Sequence, residues 1–190
     1  TGVQTCALPI SPTAEWEPQA LRRSIGMLFQ NYILYNASLH DNICFGDLQR
    51  PKDSSHFRRA AAASGVDTLA ASLPEGYETP IGTLFRQSHE LSVGQWQKIA
   101  IARTLFKDAP VAVFDEPNSA LDSASERAFF ESMGHFIKNK TALLVLHRFT
   151  AFHKTHRLLV LEDGKLAEDG YFDNLMRRKG TFWGLYKHHM

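Results

Sequence analysis

Two short apolar runs with an amphipathic helix between them constrain the fold of this chain more than any other feature. Val111–Phe114 and Ala142–Leu146 consist mostly of branched or aromatic side chains, a pattern typical of strands buried on both faces. The segment between them begins at Ser123, and Glu126 follows three residues later, which indicates a capping box. Because the order strand, helix, strand implies a right-handed crossover, the sequence predicts a parallel sheet with helices packed on it.

Further elements of the same kinds follow. The predicted helix has apolar side chains at helical spacing: Phe129, Met133, Phe136 and Ile137. A third apolar run, Leu158–Leu161, predicts another buried strand, and Asp163-Gly164 directly after it is a hairpin-turn signal. Phe172–Arg178 and Phe182–His188 predict two short helices.

Composition divides the chain into two parts. Residues 36–107 have a helical composition, clearest at Phe57–Ser64, and are punctuated by glycine and proline. We interpret them as a helical subdomain inserted into a sheet domain formed by residues 11–35 and 108–190. Within that sheet domain, Arg23–Phe29 predicts an early strand.

Polar residues follow the predicted strands. Gln30 comes after the first strand, Asp115 and Glu116 end the second, and His147 ends the third. In a parallel sheet the carboxyl ends of the strands meet at one edge, where ligands bind. An aspartate there can hold Mg²⁺, and the next acid can polarise a water for attack on a phosphoryl group. By itself, an acidic pair after a strand is also typical of an ordinary turn.

A second motif lies upstream of the acidic pair. Leu91–Gln95 (LSVGQ) precedes the predicted helix Trp96–Phe106, and a helix start of small and polar residues offers free N–H groups to an anion. Ser92 adds a hydroxyl donor, and Gly94 allows close approach of a ligand to the backbone. Taken alone, the motif is more typical of a plain serine N-cap.

Together these motifs resemble the ATP-binding-cassette (ABC) ATPase family. In chain order they are Gln30, Leu91–Gln95, Val111–Glu116, Ser119–Asp122 and His147-Arg148. The resemblance extends from roughly Glu15 to Tyr186. It implies an α/β fold of the P-loop NTPase (RecA-like) type, with a parallel sheet and an inserted helical subdomain, and with ATP and Mg²⁺ as ligands.

The resemblance implies roles for the residues after the strands. Asp115 matches the aspartate that binds Mg²⁺, and Gln30 matches the glutamine that contacts Mg²⁺ and senses the nucleotide. Glu116 matches the catalytic glutamate, and His147 matches the histidine that contacts the γ-phosphate. These residues are expected to act on the ATP of their own subunit.

Other motif residues are expected to serve a second subunit. Ser92, Gly94 and Gln95 belong to the signature motif, which binds the partner's ATP, and Asp122 lies in the loop that meets the partner. Two such domains would therefore enclose two ATP molecules between them. The second domain is either a copy of this one or a related chain.

The subtype that this sequence resembles is a bacterial exporter. Asn36–Gly46, Leu91–Ala102 and Val160–Leu175 are similar to the matching segments of exporter ATPase domains. This similarity implies a transmembrane domain as partner and a location on the cytoplasmic face of the cell membrane. The cargo, a peptide, lipid or drug, is selected by the membrane domain.

The sequence departs from the family pattern at several positions. Val93 stands where glycine is usual, and a β-branched residue does not readily adopt a positive φ. We expect Val93 to alter how the motif functions without abolishing that function, provided that its φ stays negative. Asn118 and Leu146 replace a common threonine and serine, and Thr83–Glu90 is longer than the usual approach to the signature motif.

No G-x-x-x-x-G-K-[ST] loop occurs in the 190 residues. We expect it to precede Gln30 in the complete protein. Thr1–Ile10 (TGVQTCALPI) is similar to a translated sequencing adapter, so we expect that the gene was interrupted upstream of Ser11 and that this segment has no packed role. Without the phosphate-binding loop, the chain alone is expected neither to bind ATP tightly nor to hydrolyse it.

Composition excludes several other classes of protein. The formal net charge is +1 and no long basic run occurs, so binding of nucleic acid is not expected. Cys6 and Cys44 do not form a secreted disulfide framework. Two alternatives stay open, a soluble ABC ATPase of DNA repair or translation and a degenerate cassette that does not hydrolyse ATP. The intact Asp115, Glu116 and His147 argue against the second.

Overall fold

A computed structural model describes residues 15–52, 55–84, 88–121, 123–147 and 156–187. Its strands are β1 (Ile25–Leu28), β2 (Ala37–Ser38), β3 (Pro80–Ile81), β4 (Val111–Asp115), β5 (Thr141–Val145), β6 (Leu158–Glu162) and β7 (Lys165–Gly170). Its α-helices are α1 (Pro18–Ser24), α2 (Leu39–Cys44), α3 (Ser55–Ser64), α4 (Val66–Ala71), α5 (Val93–Phe106), α6 (Ser123–Phe136), α7 (Phe172–Arg178) and α8 (Thr181–Lys187).

The main sheet is parallel, as the sequence predicts. Its strand order is β1-β4-β5, so the strand that ends in the acidic pair lies in the centre. Leu28 pairs with Phe114, and Asp115 pairs with Val145. This register brings the carboxyl ends of all three strands to the same edge.

One hydrophobic core joins the sheet to the helices of residues 36–107. It extends from Leu28 on β1 through Ile99 and Phe106 on α5 to Phe129 and Met133 on α6. Phe129 and Met133 are buried, and Phe136 packs against the same core, so the predicted apolar face of α6 is confirmed. Helix α5 thereby packs against β1.

The early strand is shorter than predicted. Residues 23 and 24 belong to α1, and β1 begins only at Ile25. Helix α1 starts with Pro18 at its first turn, and the Glu17 carboxylate accepts hydrogen bonds from the Gln19 and Ala20 N–H groups at 2.9 and 2.7 Å. These capping interactions stabilise a helix where the apolar pattern alone predicted a strand.

Two expectations about the later strands are wrong. Strand β5 is not buried on both faces, since Leu143 and Val145 are 49% and 42% exposed. It is the edge strand of the sheet within the described part of the chain, so it has a neighbour on one side only. Strand β6 is not buried on both faces either, since Leu159 and Leu161 are 53% and 70% exposed, and it pairs antiparallel with β7. The cause is the predicted turn, in which Asp163 and Gly164 have φ of 50° and 73° and reverse the chain between β6 and β7.

The C-terminal hairpin and helices α7 and α8, whose starts the sequence predicted to within a residue, have a small core of their own. Leu158, Val160, Leu175 and Phe182 are buried in it. In the part of the chain that the structure describes, no helix is long and apolar enough to cross a bilayer. The predictions for Thr1–Ile10 and Asp122 fall outside the described residues.

An ion cluster at the opposite end of the sheet from the acidic pair joins three elements. Asp108, which precedes β4, accepts a hydrogen bond from Lys140 before β5, and its other carboxylate oxygen lies 3.0 Å from His56 on α3 and 3.8 Å from Arg59. Burial raises the pKa of the Asp108 carboxyl, but Lys140, His56 and Arg59 together outweigh burial and hold that pKa below its ordinary value.

We expect Asp108→Asn to lower the free energy of unfolding by about 1–3 kcal/mol at pH 7, because it removes charge-assisted hydrogen bonds from a side chain that is only 22% exposed. Asparagine tolerates the positive φ of 54° at this position. A carboxyl with a lowered pKa stabilises the fold above its unfolded pKa of about 4, and the stabilisation is lost as the pH falls through the folded pKa.

Urea unfolding at several pH values checks this expectation. The difference between parent and variant should be present above pH 5 and shrink below about pH 4. Asp163→Asn, at an exposed residue that also has a positive φ, should change stability by less than about 0.5 kcal/mol. A difference that does not depend on pH would show that the charge of Asp108 is not the cause.

Candidate functional site

The Glu116 carboxylate lies between two polar side chains at the carboxyl edge of the sheet. Its Oε1 accepts a hydrogen bond from Gln30 Nε2 at 3.4 Å and lies 3.1 Å from His147 Nε2. Gln30 follows β1, Glu116 follows β4 and His147 follows β5. The structure thus brings together three residues that are up to 117 positions apart in the sequence (147 − 30).

Backbone geometry sets the direction of the Glu116 side chain. Glu116 has a φ of 48°, which turns the chain sharply at the end of β4. Its N–H donates to the Val145 carbonyl at 3.0 Å and continues the β4–β5 ladder by one residue. The side chain is 23% exposed, whereas the His147 side chain is 73% exposed. The carboxylate is therefore shielded on the protein side and accessible from the edge of the sheet.

Asp115 and Gln30 have the chemistry of magnesium ligands. Asp115 is the last residue of β4, half-buried, and next to Glu116. Because Gln30 donates to Glu116 through its Nε2, its Oε1 stays available to a cation. Carboxylate and amide oxygens are ligands that Mg²⁺ accepts, usually with several waters. These two residues fit a magnesium ion at this edge.

The signature segment forms a capping box at the start of α5. The Ser92 hydroxyl accepts a hydrogen bond from the Gln95 N–H at 3.3 Å, and Gln95 Oε1 accepts from the Ser92 N–H at 2.8 Å. Val93 is the first residue of the helix, is 70% exposed and does not have a positive φ. The β-branched side chain is therefore accommodated without backbone strain, as expected. The start of this 14-residue helix faces solvent.

The signature segment contacts the loops at the carboxyl edge of the sheet in its own chain. The Tyr32 hydroxyl, two residues beyond Gln30, donates to the Val93 carbonyl at 3.1 Å. A Cβ on Gly94 would lie 2.9 Å from the Ala120 carbonyl oxygen, so only glycine fits against the loop after Glu116. The segment therefore packs against both loops of the sheet edge, while Ser92 and Gln95 remain bonded to each other.

Sequence reasoning missed two polar side chains on α5, of which one is buried and the other half-buried. Gln97 is 3% exposed and bonds to the loop that carries Glu116. Arg103 donates to the carbonyl and side-chain oxygens of Asn42 and to the Ile33 carbonyl. A signal for both was present, since each is a polar residue within the mostly apolar run Trp96–Phe106. The pattern could not show which partners they reach.

The asparagine at position 118, which replaces a threonine that is common in the family, also has a structural explanation. Asn118 is 2% exposed, and its amide donates to the buried Glu126 carboxylate at 2.6 Å. Glu126 is the residue predicted to take part in a capping box at the start of α6. This bond attaches the loop after Glu116 to α6.

A parallel α/β sheet with acidic, amide and imidazole groups at its carboxyl edge is the arrangement of a protein that binds its ligand at the strand ends, as P-loop NTPases do. Comparison with known families agrees with this class. The model of the ABC transporter family matches residues 7–119, which is more than half of the chain. The chain therefore belongs to the ABC transporter family.

Comparison with individual proteins supports the same family. The chain is 37% identical over 176 residues to the ATP-dependent lipid A-core flippase of Alkalilimnicola ehrlichii, a match that covers 93% of this chain and 29% of that protein. For the ATP-dependent lipid A-core flippase of Cupriavidus metallidurans the identity is 38%, covering 88% and 28%. A solved bacterial Atm1-family ABC exporter with ATP bound superimposes with a TM-score of 0.80 at 31% identity, covering 90% of this chain and 29% of that one. The chain thus spans less than a third of the length of these relatives.

Proposed function

We propose that this chain is the ATP-hydrolysing domain of an ABC exporter. The observation that carries the proposal is the contact of Glu116 with both Gln30 and His147 at the carboxyl edge of the parallel sheet. The soluble ABC ATPase of DNA repair or translation is less well supported, because the relatives described above are a flippase and an exporter. A degenerate cassette is disfavoured by the intact Glu116 contacts.

The proposed mechanism assigns a separate task to each residue. Glu116 accepts a proton from the attacking water, since its carboxylate is accessible from the edge of the sheet. His147 contacts the γ-phosphate and so helps to position it. Asp115 and the Gln30 amide oxygen would hold Mg²⁺, which neutralises charge on the phosphates when it is bound. Catalysis then depends mainly on positioning and on electrostatic stabilisation.

The signature segment would act on the ATP of a second subunit. Ser92 is exposed at the N-terminus of a long helix, where N–H groups and the helix dipole favour an anion. Gly94 and Gln95 lie in the same first turn, and Asp122 follows the loop that packs on Gly94. Two domains related head to tail would enclose two nucleotides.

A membrane-domain partner is supported by an exposed apolar surface beyond Gln30. Ile33, Leu34 and Tyr35 are 61%, 49% and 37% exposed in consecutive positions. Leu84, 75% exposed, is held near them because the Asn36 side chain accepts hydrogen bonds from the Thr83 and Leu84 N–H groups. Contiguous exposed apolar side chains mark protein interfaces. We propose that this surface contacts the transmembrane domain on the cytoplasmic face of the membrane.

Two serine N-caps allow a matched test of the signature motif in the assembled transporter. Ser92 caps α5 and Ser38 caps α2 in the same way, through a hydroxyl that accepts a backbone N–H. Each serine-to-alanine change should cost about 1 kcal/mol of stability. We expect Ser92→Ala to lower steady-state phosphate release about tenfold or more, because a hydrogen bond to a charged phosphate is also lost.

The Ser38→Ala variant is the control and should retain activity within about twofold. Equal losses of activity in both variants would mean that Ser92 acts only as a cap, and the signature role would then be rejected. Phosphate release that does not depend on ATP and Mg²⁺ in the parent transporter would contradict the proposed function as a whole.

A further inference from the structure

Gln97 connects the signature helix to the loop that carries Glu116. Its Nε2 donates to the Glu116 carbonyl at 3.1 Å and to the Ser119 hydroxyl at 2.9 Å. Its Oε1 accepts a hydrogen bond from the Ala120 N–H at 3.0 Å. Both ends of one buried amide are therefore bonded to the segment 116–120. The side chain is only 3% exposed, so water cannot readily replace these bonds.

Hydrogen bonds to the Glu116 carbonyl restrain the backbone from which the Glu116 side chain projects. It accepts a second hydrogen bond from the Ser119 N–H at 3.2 Å, while the Glu116 N–H is bonded to Val145. With φ at 48°, Glu116 is in a conformation that a non-glycine residue adopts only when its surroundings hold it there. The bonds to the peptide after Glu116 supply part of that restraint.

We propose that Gln97 is a positioning residue for ATP hydrolysis, which holds the Glu116 backbone so that the carboxylate meets the attacking water. This proposal rests on the proposed function of Glu116. Gln97 also lies one turn after Gly94 on α5. It therefore links the position of Glu116 to α5, the helix whose first turn is proposed to act on the ATP of the second subunit. The base of one site and the signature motif of the other would then move as one unit.

Gln97→Met tests the proposal, because methionine has a similar length and fills the buried space without the amide. In the assembled transporter, we expect kcat for ATP hydrolysis to fall about 10–100-fold with KM for ATP changed less than about twofold, since a displacement near 1 Å costs about that much. Gln97→Glu keeps the acceptor for the Ala120 N–H but loses the donor to the Glu116 carbonyl, so its kcat should also fall.

Thr104→Val is the matched control on the same helix. The Thr104 hydroxyl is also buried and bonds to the Ala100 carbonyl at 3.0 Å, outside the loop after Glu116. Its loss should lower the thermal stability but leave kcat within about twofold. If Thr104→Val and Gln97→Met lower kcat equally, Gln97 has only a structural role.

Hydrogen–deuterium exchange gives a readout that does not require activity. Gln97→Met removes the acceptor of the Ala120 N–H, so peptide 116–121 should exchange faster, whereas Thr104→Val should leave it unchanged. Unchanged exchange in Gln97→Met would overturn the proposal. If Gln97→Met does not fold, the kcat of Gln97→Glu, which lacks the donor to the Glu116 carbonyl, is compared with that of Thr104→Val instead.

A double-mutant cycle separates this proposal from the proposed function. If Gln97 acts through Glu116, Gln97→Met should lower turnover little further in a Glu116→Gln background. Additive losses would overturn the positioning role and leave Glu116 as the base. If Glu116→Gln alone has no effect on turnover, the proposed function of Glu116 fails, whatever the exchange data show.

Discussion

Replacing Glu116 by glutamine should lower ATP hydrolysis in the assembled transporter by about 10²–10⁴-fold, the usual cost of losing a general base. Glutamine keeps the shape of the side chain and can still bond to Gln30 and His147, but it cannot accept a proton from water. ATP binding should persist, because the groups proposed to contact phosphates and metal are unchanged. The variant should therefore accumulate in an ATP-bound form.

Steady-state phosphate release and retention of radiolabelled ATP measure the two parts of this prediction. Glu162→Gln is a suitable control, since Glu162 also ends a strand but is exposed in the C-terminal hairpin. It should turn over within about twofold of the parent. If Glu116→Gln hydrolyses ATP as fast as the parent, Glu116 is not the catalytic base.

Replacing Asn42 by alanine should lower the free energy of unfolding by about 3 kcal/mol. Asn42 is fully buried on α2, and its amide donates to the Tyr35 and Ser38 carbonyls at 2.9 and 3.1 Å. Its Oδ1 accepts from Arg103 at 3.0 Å. Alanine would leave the part-buried Tyr35 carbonyl and an Arg103 N–H without this partner, which costs more than the bonds themselves contribute.

The loss should be large because Arg103 is half-buried and therefore partly withdrawn from water. Burial lowers the pKa of its guanidinium from the ordinary value, which is the effect of withdrawing solvent from a charge. Arg103 also lies over the Tyr35 ring at 4.6 Å and donates to the Ile33 carbonyl. A loss of about 3 kcal/mol is a considerable part of the 5–15 kcal/mol typical of a domain.

Urea unfolding monitored by tryptophan fluorescence measures this loss. Asn174→Ala is the matched control, because the Asn174 side chain accepts one exposed hydrogen bond from Arg177. It should cost less than about 1 kcal/mol. Equal effects at Asn42 and Asn174 would contradict the importance of the buried Asn42–Arg103 network.

Local sequence patterns were sufficient for much of the fold. The runs that became β4, β5 and β6 were apolar over four or five residues, and the hairpin turn needed only Asp163 and Gly164. Motif order was sufficient to identify the family, since Gln30, Glu116 and His147 each follow a strand. These features depend on near neighbours or on chain order, which a sequence contains directly.

Pairing of the strands, by contrast, depended on tertiary structure. An apolar run indicates that a strand avoids water but not which elements lie beside it, so β5 and β6 were both expected to be more buried than they are. Likewise, the Glu17 cap favoured α1 over the start of a strand at residues 23 and 24.

The sequence by itself determined which residues carry the proposed chemistry and the order in which they occur along the chain. Only the tertiary structure decided that Gln97 bonds to the Glu116 loop and that Arg103 bonds to Asn42, residues 19 and 61 positions apart. The physical reason is that a buried amide or guanidinium must find its partners wherever packing places them. Hydrophobic periodicity fixes which face of a helix is buried, whereas the partner of each buried polar group is fixed only when the helices and loops pack together.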